Sequence, residues 1–287
     1  MVNLKHAIKQ GIVALKAKNI QPVMQTVGDE SLLAGKTAFV VGGSGGIGKA
    51  VAKAFLKNGA SVVIAGTRRE KVDKVVRELG GKCAGVVVNL VEPETFSEVV
   101  DEAVACFGSI DILVNSAGVH TEDTSMGGFL DFSVEEYDRI LGINLRGVYF
   151  MVQAVAKRMI SDKVANGHIL IVSSSAGNEP AWSPYRVSKW GLKGITEGMA
   201  SALVRHGIVV NAIAPGSTAT PLLGVEEGDS ISAEDNRLGR LAMPEEVAEF
   251  AVMLASPIGD MVVGDTLYIS GGRGFAISGR RIGCRER

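Results

Sequence analysis

Cysteine is scarce in this chain: Cys83, Cys106 and Cys284 are all there are in 287 residues. An odd number, widely spaced and without metal-ligand pairing, argues against a disulfide framework or a metal site. It points instead to a reducing compartment, the cytoplasm. Aromatic residues make up only 5%, too few for an aromatic-rich binding module. Charge is nearly balanced at a formal net −1, so there is no electrostatic case for a nucleic-acid partner. No long uncharged apolar run and no cleavable signal is present, and a soluble protein with no membrane span is expected. What the chain has in quantity is aliphatic residues and glycine. Hydrophobic residues reach 46% and glycines number 36, which favours packed aliphatic strands joined by tight turns. The length suits one large α/β domain or two small ones.

Residues 1–30 stand apart from the rest. Leu4, Ile8, Ile12 and Leu15 recur at helical spacing, while Lys5, Lys9 and Lys16 fall off that stripe. No acidic residue precedes Asp29. A mitochondrial targeting peptide would be rich in Arg and Ser, and this segment has no Arg. It reads as an amphipathic extension that docks on the body or on another subunit. From Lys36 onward strand and helix patterns alternate. Strands are predicted at Thr37–Val41, 61–65, 84–88, 111–114, 168–173, 208–213 and Thr266–Ile269. Helical stretches run through Lys57, then over 70–79, 94–107, 133–160, the segment carrying Tyr185, and Pro244–Ala255. Alternation at this spacing predicts parallel strands with helices on both faces, a single body over 31–272. Residues 273–287 are Gly- and Arg-rich, a basic tail that is loose or touches another subunit.

Two local patterns carry chemistry. Val41-Gly42-Gly43-Ser44-Gly45-Gly46-Ile47-Gly48 follows an apolar strand and opens a helix, the context a phosphate-binding turn requires. Glycines let the backbone approach a pyrophosphate, and the helix start offers free N–H donors. Tyr185-Arg-Val-Ser-Lys189 puts a phenol and an ammonium one helical turn apart. A tyrosine titrates near ~10, and a neighbouring lysine favours the phenolate and brings that value toward neutrality. Any helix can carry Tyr-x-x-x-Lys, so its company decides: a serine run at 173–175 and Asn144 lie upstream.

Gly42-x-x-x-Gly46-Ile47-Gly48, Asn115-Ser116-Ala117-Gly118, Asn144, Ser174, Tyr185-x-x-x-Lys189 and Pro215-Gly216 occur in the order of the short-chain dehydrogenase/reductase family, which the chain resembles from roughly Leu33 to Gly272. The resemblance implies a Rossmann-like fold with a seven-stranded parallel sheet, a nicotinamide cofactor and a tetrad of Asn144, Ser174, Tyr185 and Lys189. In it Tyr185 exchanges a proton with the substrate oxygen and Ser174 polarises the carbonyl. Lys189 lowers the Tyr185 pKa and bonds the ribose, and Asn144 holds a water linking Lys189 to solvent. Ser173 is the alternative to Ser174, closer to the family's interval before tyrosine but out of register with Ser-x-x-Gly. Implied cofactor contacts are Gly42, Ser44, Gly46, Ile47 and Gly48 in the first turn. Asn89 and Leu90 follow the third strand, and Asn115, Ala117 and Gly118 the fourth. Pro215, Gly216, Thr218 and Thr220 follow the sixth, and Tyr185 and Lys189 complete the set. The chain departs from the pattern at Val41, where threonine usually braces the turn, at Asn89, usually aspartate, and at Ser116, usually asparagine.

The second strand ends in Ala65-Gly66-Thr67-Arg68-Arg69 with no acid before Glu70. Thr67 and Arg68 suit a 2′-phosphate, so NADP(H) is the expected cofactor, with NAD(H) the alternative. The polar segment 221–240 reads as a lid, and Met126, Phe129, Trp182 and Leu222 are candidate pocket residues. The expected activity is reduction of a small ketone or oxidation of a secondary alcohol. Alternatives are a 3-oxoacyl-carrier-protein reductase and a non-catalytic cofactor sensor. Glu122, Asp123, Asp131 and the lid carboxylates suggest an acidic rim, unsuited to an acidic carrier protein. Val148, Val152, Val155 and Ala200 are read as apolar residues needing a partner surface, hence a homo-oligomer, tetramer or dimer.

Overall fold

The computed structural model describes residues 31–121, 126–226, 228–233 and 237–273; the N-terminal extension and all but the first residue of the basic tail lie outside them. Seven parallel strands form one sheet: β1 (Thr37–Val41), β2 (Ser61–Gly66), β3 (Cys83–Val87), β4 (Ile112–Asn115), β5 (Gly167–Val172), β6 (Ile208–Pro215) and β7 (Thr266–Ile269). Their spatial order is β3-β2-β1-β4-β5-β6-β7. The chain therefore builds outward from β1 to β3, then crosses back to lay β4 beside β1. That reversal leaves a crevice at the carboxyl ends of β1 and β4, where open α/β sheets bind ligands.

Strand residues alternate between two buried layers. Phe39, Val41, Val63 and Ala65 pack with α3 (Phe96–Phe107), α5 (Val148–Ser161) and α6 (Pro184–Leu203). Ala38, Val40, Val62 and Ile64 pack with α1 (Gly46–Lys57), α2 (Arg69–Leu79) and α7 (Pro244–Ala255). Both faces of the sheet are covered, which is why its strands read as continuous aliphatic runs. Each buried Val, Leu or Ile contributes about 1.5–3 kcal/mol from lost apolar exposure.

Two sequence expectations change here. The stretch 133–160 is not one regular helix. α4 (Val134–Leu141), capped by Ser133 Oγ accepting from Glu136 N, leads into a widened π-helical segment, Gly142–Gly147, before α5 begins. Such a widening is common at functional positions, and Asn144 lies inside it. The second correction concerns the surface. Val148, Val152, Val155 and Ala200 are buried in the chain's own core rather than awaiting a partner. On α5 the buried residues Val148, Met151, Val152, Val155, Ala156 and Met159 follow one helical stripe against the sheet. The exposed apolar groups of these helices are instead Val134, Tyr137, Tyr149, Phe150, Ile160 and Trp190. No described helix is long and apolar enough to cross a membrane.

Candidate active site

The glycine turn and the segment after β4 meet face to face. Gly42 has φ +82°, and a side chain on it would begin 2.5 Å from the Ala117 nitrogen, so the two backbones touch where only glycine fits. Gly48 packs as closely on the Gly42 carbonyl. α1 then starts after Gly45 with no side chain capping its first N–H groups. Ser44 lies against Gly66 at the end of β2, and Thr220 covers Gly46 from the loop after β6. At the end of β2, Arg69 bonds the Gly85 carbonyl and pairs with Asp73, whereas exposed Arg68 makes no side-chain bond among the described residues. Asn89 is turned into its own loop, its Nδ2 donating to Glu92 and its Oδ1 accepting from Val91 N. The Leu90 side chain is in the core, against Gly147. Asn115 is fully buried, and neither atom of its amide finds a partner among the described residues. Its register neighbour on β1 is Val41, on the same face of the sheet.

The tetrad positions converge above β5. Ser174, two residues past that strand, is near enough to the Tyr185 hydroxyl to lower its pKa, and its Oγ accepts from Ala176 N at 3.2 Å, while the Ser173 hydroxyl turns away toward the Lys189 carbonyl. Pro184 starts α6 and Ser183 caps it through a bond from Arg186 N, which fixes Tyr185 in the first turn. Lys189 lies one turn further, buried, with Nζ donating to the Val172 carbonyl at 3.3 Å and standing 5.4 Å from the centre of the Tyr185 ring. Asn144 accepts from Val119 N and donates to Val119 O, both at 2.8 Å, and donates to Ser188 Oγ at 3.3 Å. A side chain on Gly118 would begin 3.3 Å from Asn144 Oδ1 and 3.7 Å from Lys189 Nζ, so the glycine sits between them. Both amide hydrogens of Asn144 are thus taken by protein. The side chain positions the 118–120 segment and α6, and its N–H groups have none left for the water expected from the sequence.

Electrostatics differ from expectation as well. Burial raises the Tyr185 pKa, outweighing Ser174 and the charges of Arg273 and Arg186, which lower it. Burial also brings Lys189 down to about 8. The lysine lies over the ring rather than against the hydroxyl, so desolvation dominates both groups. His120 lies against Tyr185 with ring centres 4.0 Å apart and the planes tilted by 33°, and its Nδ1 bonds the Thr121 carbonyl. Burial holds this imidazole below its ordinary value, with Lys189, Arg186 and Arg273 pushing the same way.

A cavity of about 610 Å³ unites these parts, with Ile47, Ser174, Tyr185, Pro215, Gly216 and Thr218 among its walls. Trp182, Leu222 and Thr220 also line it, whereas exposed Phe129 does not; nothing is described of the Met126 side chain. The lid segment is tied to the body by Arg237 N donating to the Gly271 carbonyl at 3.0 Å, and its flanks are joined by Ala219 N donating to the Ala242 carbonyl. The acidic rim is not found among the described residues. Asp131, Glu226 and Asp229 are absent from the cavity wall, and Glu122, Asp123, Glu227, Glu234 and Asp235 lie outside the description. Cations line the wall instead: Arg186 and Arg273, which the sequence reading passed over. The visible signal for the first was a charge directly after Tyr185. For the second there was none.

A family model described as enoyl-(acyl carrier protein) reductase matches residues 42–273. The chain belongs to the short-chain dehydrogenase/reductase family, and it is an oxidoreductase by that membership. Among its relatives is the 3-oxoacyl-[acyl-carrier-protein] reductase FabG of Thermotoga maritima, 36% identical over 247 residues, covering 84% of this chain and 98% of that protein. The sorbitol dehydrogenase of Cereibacter sphaeroides is 32% identical over 260 residues, covering 84% and 98%. Among solved structures, the 3-ketoacyl-(acyl-carrier-protein) reductase of Brucella melitensis complexed with NADH aligns with a TM-score of 0.75 at 32% identity, covering 85% of this chain and all of that one.

Proposed function

We propose that this chain transfers hydride between NADP(H) and a ketone or secondary alcohol, with Tyr185 as the proton donor or acceptor. The observation that carries this reading is that Ser174 and Tyr185 line one cavity, backed by buried Lys189, and that the cavity reaches Ile47 of the glycine turn. The residues present fit a dinucleotide. Gly42, Ser44, Gly46, Ile47 and Gly48 form a close-packed turn before an uncapped helix start, suited to a pyrophosphate. Ala117 and Gly118 border that turn, and Pro215, Gly216, Thr218 and Thr220 close the cavity opposite. The NADH complex of the Brucella relative supports a nicotinamide cofactor. Arg68, exposed, without a side-chain bond among the described residues and with no acid at the end of β2 before it, supports the 2′-phosphorylated form, with Thr67 beside it. When bound, the nicotinamide supplies or accepts the hydride.

The chain's own groups do the rest. Ser174 Oγ donates to the substrate oxygen where negative charge develops during reduction. Tyr185, protonated at neutral pH because burial holds its pKa up, delivers its proton to that oxygen. Lys189 stabilises the phenolate that remains, and its pKa of about 8 lets it pass a proton on near neutrality. Asn144 positions the 118–120 segment and α6 so that these groups stay in reach. Exposed Tyr149, Phe150 and Trp190 support assembly as a homo-oligomer. A second reading, 3-oxoacyl-carrier-protein reductase, is favoured by the likeness to the Thermotoga reductase of that name.

Tyr185→Phe tests the proposal. Ketone-dependent NADPH oxidation should fall by about 10²- to 10⁴-fold while NADPH still binds. Turnover that persists with an unchanged pH profile would overturn the assignment. A 3-oxoacyl carrier-protein substrate run beside free ketones separates the two readings.

A further inference from the structure

We propose that His120 selects the substrate by accepting, at Nε2, a hydrogen bond from a hydroxyl group on the carbon next to the reacting carbonyl. The inference rests on the reductase reading above and adds the substrate class to it: α-hydroxy ketones, which gain hydride at the carbonyl carbon and the Tyr185 proton at its oxygen to become vicinal diols. His120 lies in the segment after β4, and its place is fixed from three directions. Asn144 holds the preceding residue, Val119, by both main-chain groups at 2.8 Å. The His120 Nδ1 stands 3.1 Å from the Thr121 carbonyl oxygen and 3.3 Å from Thr121 Oγ1. The Tyr185 ring lies against the imidazole, with centres 4.0 Å apart. His120 and Thr121 line the same cavity as Ser174 and Tyr185.

The tautomer follows from the partner. A carbonyl oxygen has no hydrogen to give, so Nδ1 carries the proton and donates it. Burial lowers the imidazole pKa and outweighs that bond, which raises it, while Lys189, Arg186 and Arg273 push it further down. The ring is therefore neutral at neutral pH, and Nε2 keeps a lone pair. No group among the described residues bonds to Nε2. Other wall groups cannot play this part. Serine and threonine hydroxyls give or take a hydrogen bond equally well, whereas this Nε2 can only accept. The two guanidiniums only donate, and Glu179 clamps both, from Arg186 Nη1 at 2.6 Å and from Arg273 Nε at 2.9 Å. A ring meant only to pack beside Tyr185 needs no lone pair, and a phenyl group would serve. Contact with Tyr185 also sets the reach. A substrate oxygen within hydrogen-bond distance of that phenol brings the adjacent carbon, and a hydroxyl on it, alongside the imidazole. The hydroxyl answers the lone pair, whereas an alkyl or ether group buries it unpaired.

The test pairs hydroxyacetone with methoxyacetone, and acetoin with its methyl ether. Each pair shares the electron-withdrawing oxygen and differs in the donor. With NADPH and NADH in turn, the hydroxy ketone of each pair should be favoured by about tenfold or more in kcat/KM. His120→Phe keeps a ring against Tyr185 and should erase that preference. His120→Gln, whose amide oxygen can occupy the Nε2 position, should retain part of it. Imidazole nitrogen NMR of the unaltered protein reads the same contact without turnover or any variant. His120 should show the Nδ1–H tautomer, and in the NADPH complex its Nε2 signal should move with propylene glycol but not with the glycol's dimethyl ether. Ethers reduced as well as hydroxy ketones, a preference that survives His120→Phe, a loss in that variant shared equally by both members of a pair, or an Nε2–H tautomer would each overturn the His120 assignment alone. Reduction of neither class, with NADPH still bound, would fell the reductase reading and this inference with it.

Discussion

The half of the molecule built on β1 to β3 and the half built on β5 to β7 form their parts of the site in opposite ways. Around β1 the work is done by main chain. Gly42 and Gly48 bring backbone within contact of backbone, α1 presents bare N–H groups, and the ionisable side chains stay on the surface. Around β5 and β6 the work is done by side chains. Ser174, Tyr185, Lys189, Glu179, Arg186 and Arg273 hold one another through charge and hydrogen bonds in a partly desolvated space. A cofactor common to many reactions needs shape more than chemistry, whereas a particular substrate and proton transfer need titratable groups. The first half should therefore respond to changes of volume, and the second to changes of charge and pH.

A methyl group is the sharpest probe of the first half. Gly42→Ala forces a positive φ on a substituted residue and overlaps the Ala117 backbone, and should destabilise the fold by about 3 kcal/mol, read from denaturant midpoints. A comparable term of opposite character belongs to the second half. Lys189 is depressed to about 8, so between pH 8 and 10 the unfolded chain holds more protons there than the folded one. The Lys189 contribution to stability should rise with pH across that window, by up to about 3 kcal/mol at its upper end, against a loss from the Cys83 thiol that burial pushes up to about 11, and Lys189→Met should remove the rising part. An unchanged slope in the variant would move the depressed pKa elsewhere. Next in size, Arg68→Ala should weaken NADPH about ten- to a hundredfold and leave NADH nearly untouched, by equilibrium titration. Equal loss for both would make Arg68 a structural residue and remove the support for NADP(H).

The smallest expected effect is a gain. Val41 and Asn115 are register neighbours on adjacent strands, and the Asn115 amide is buried with no partner among the described residues. Val41→Thr offers it a hydroxyl of nearly the same shape and should stabilise by about 1 kcal/mol, visible as a higher Tm. A lower Tm would mean the hydroxyl is buried unpaired as well.

The first half was largely legible in the sequence because its signals are local. A strand, a glycine spacing and a helix start lie within a dozen residues, and each strand of the sheet was read to within about two residues at its ends. The second half was legible only where a motif is compact, as in Tyr185-x-x-x-Lys189. The clamp joining Glu179 to Arg273 spans 94 positions, and no periodicity reports a contact of that range. The π-helical interruption around Asn144 was hidden because an inserted main-chain widening leaves helical residue preferences intact. The burial of Val148 and Val155 was misread for a related reason: an apolar stripe shows that a face is covered but not by what.

Arg273 is a wall of the cavity, and it reaches there from just past the last strand, β7. Ser31 packs instead against Gly59, in the turn that leads into β2 at the amino ends of the strands. The two places are therefore unequal handles. A fluorescent probe attached at residue 273 would stand in the reaction chamber and tug on its wall. The same probe attached at residue 31 would report from the far ends of the strands and leave that wall untouched.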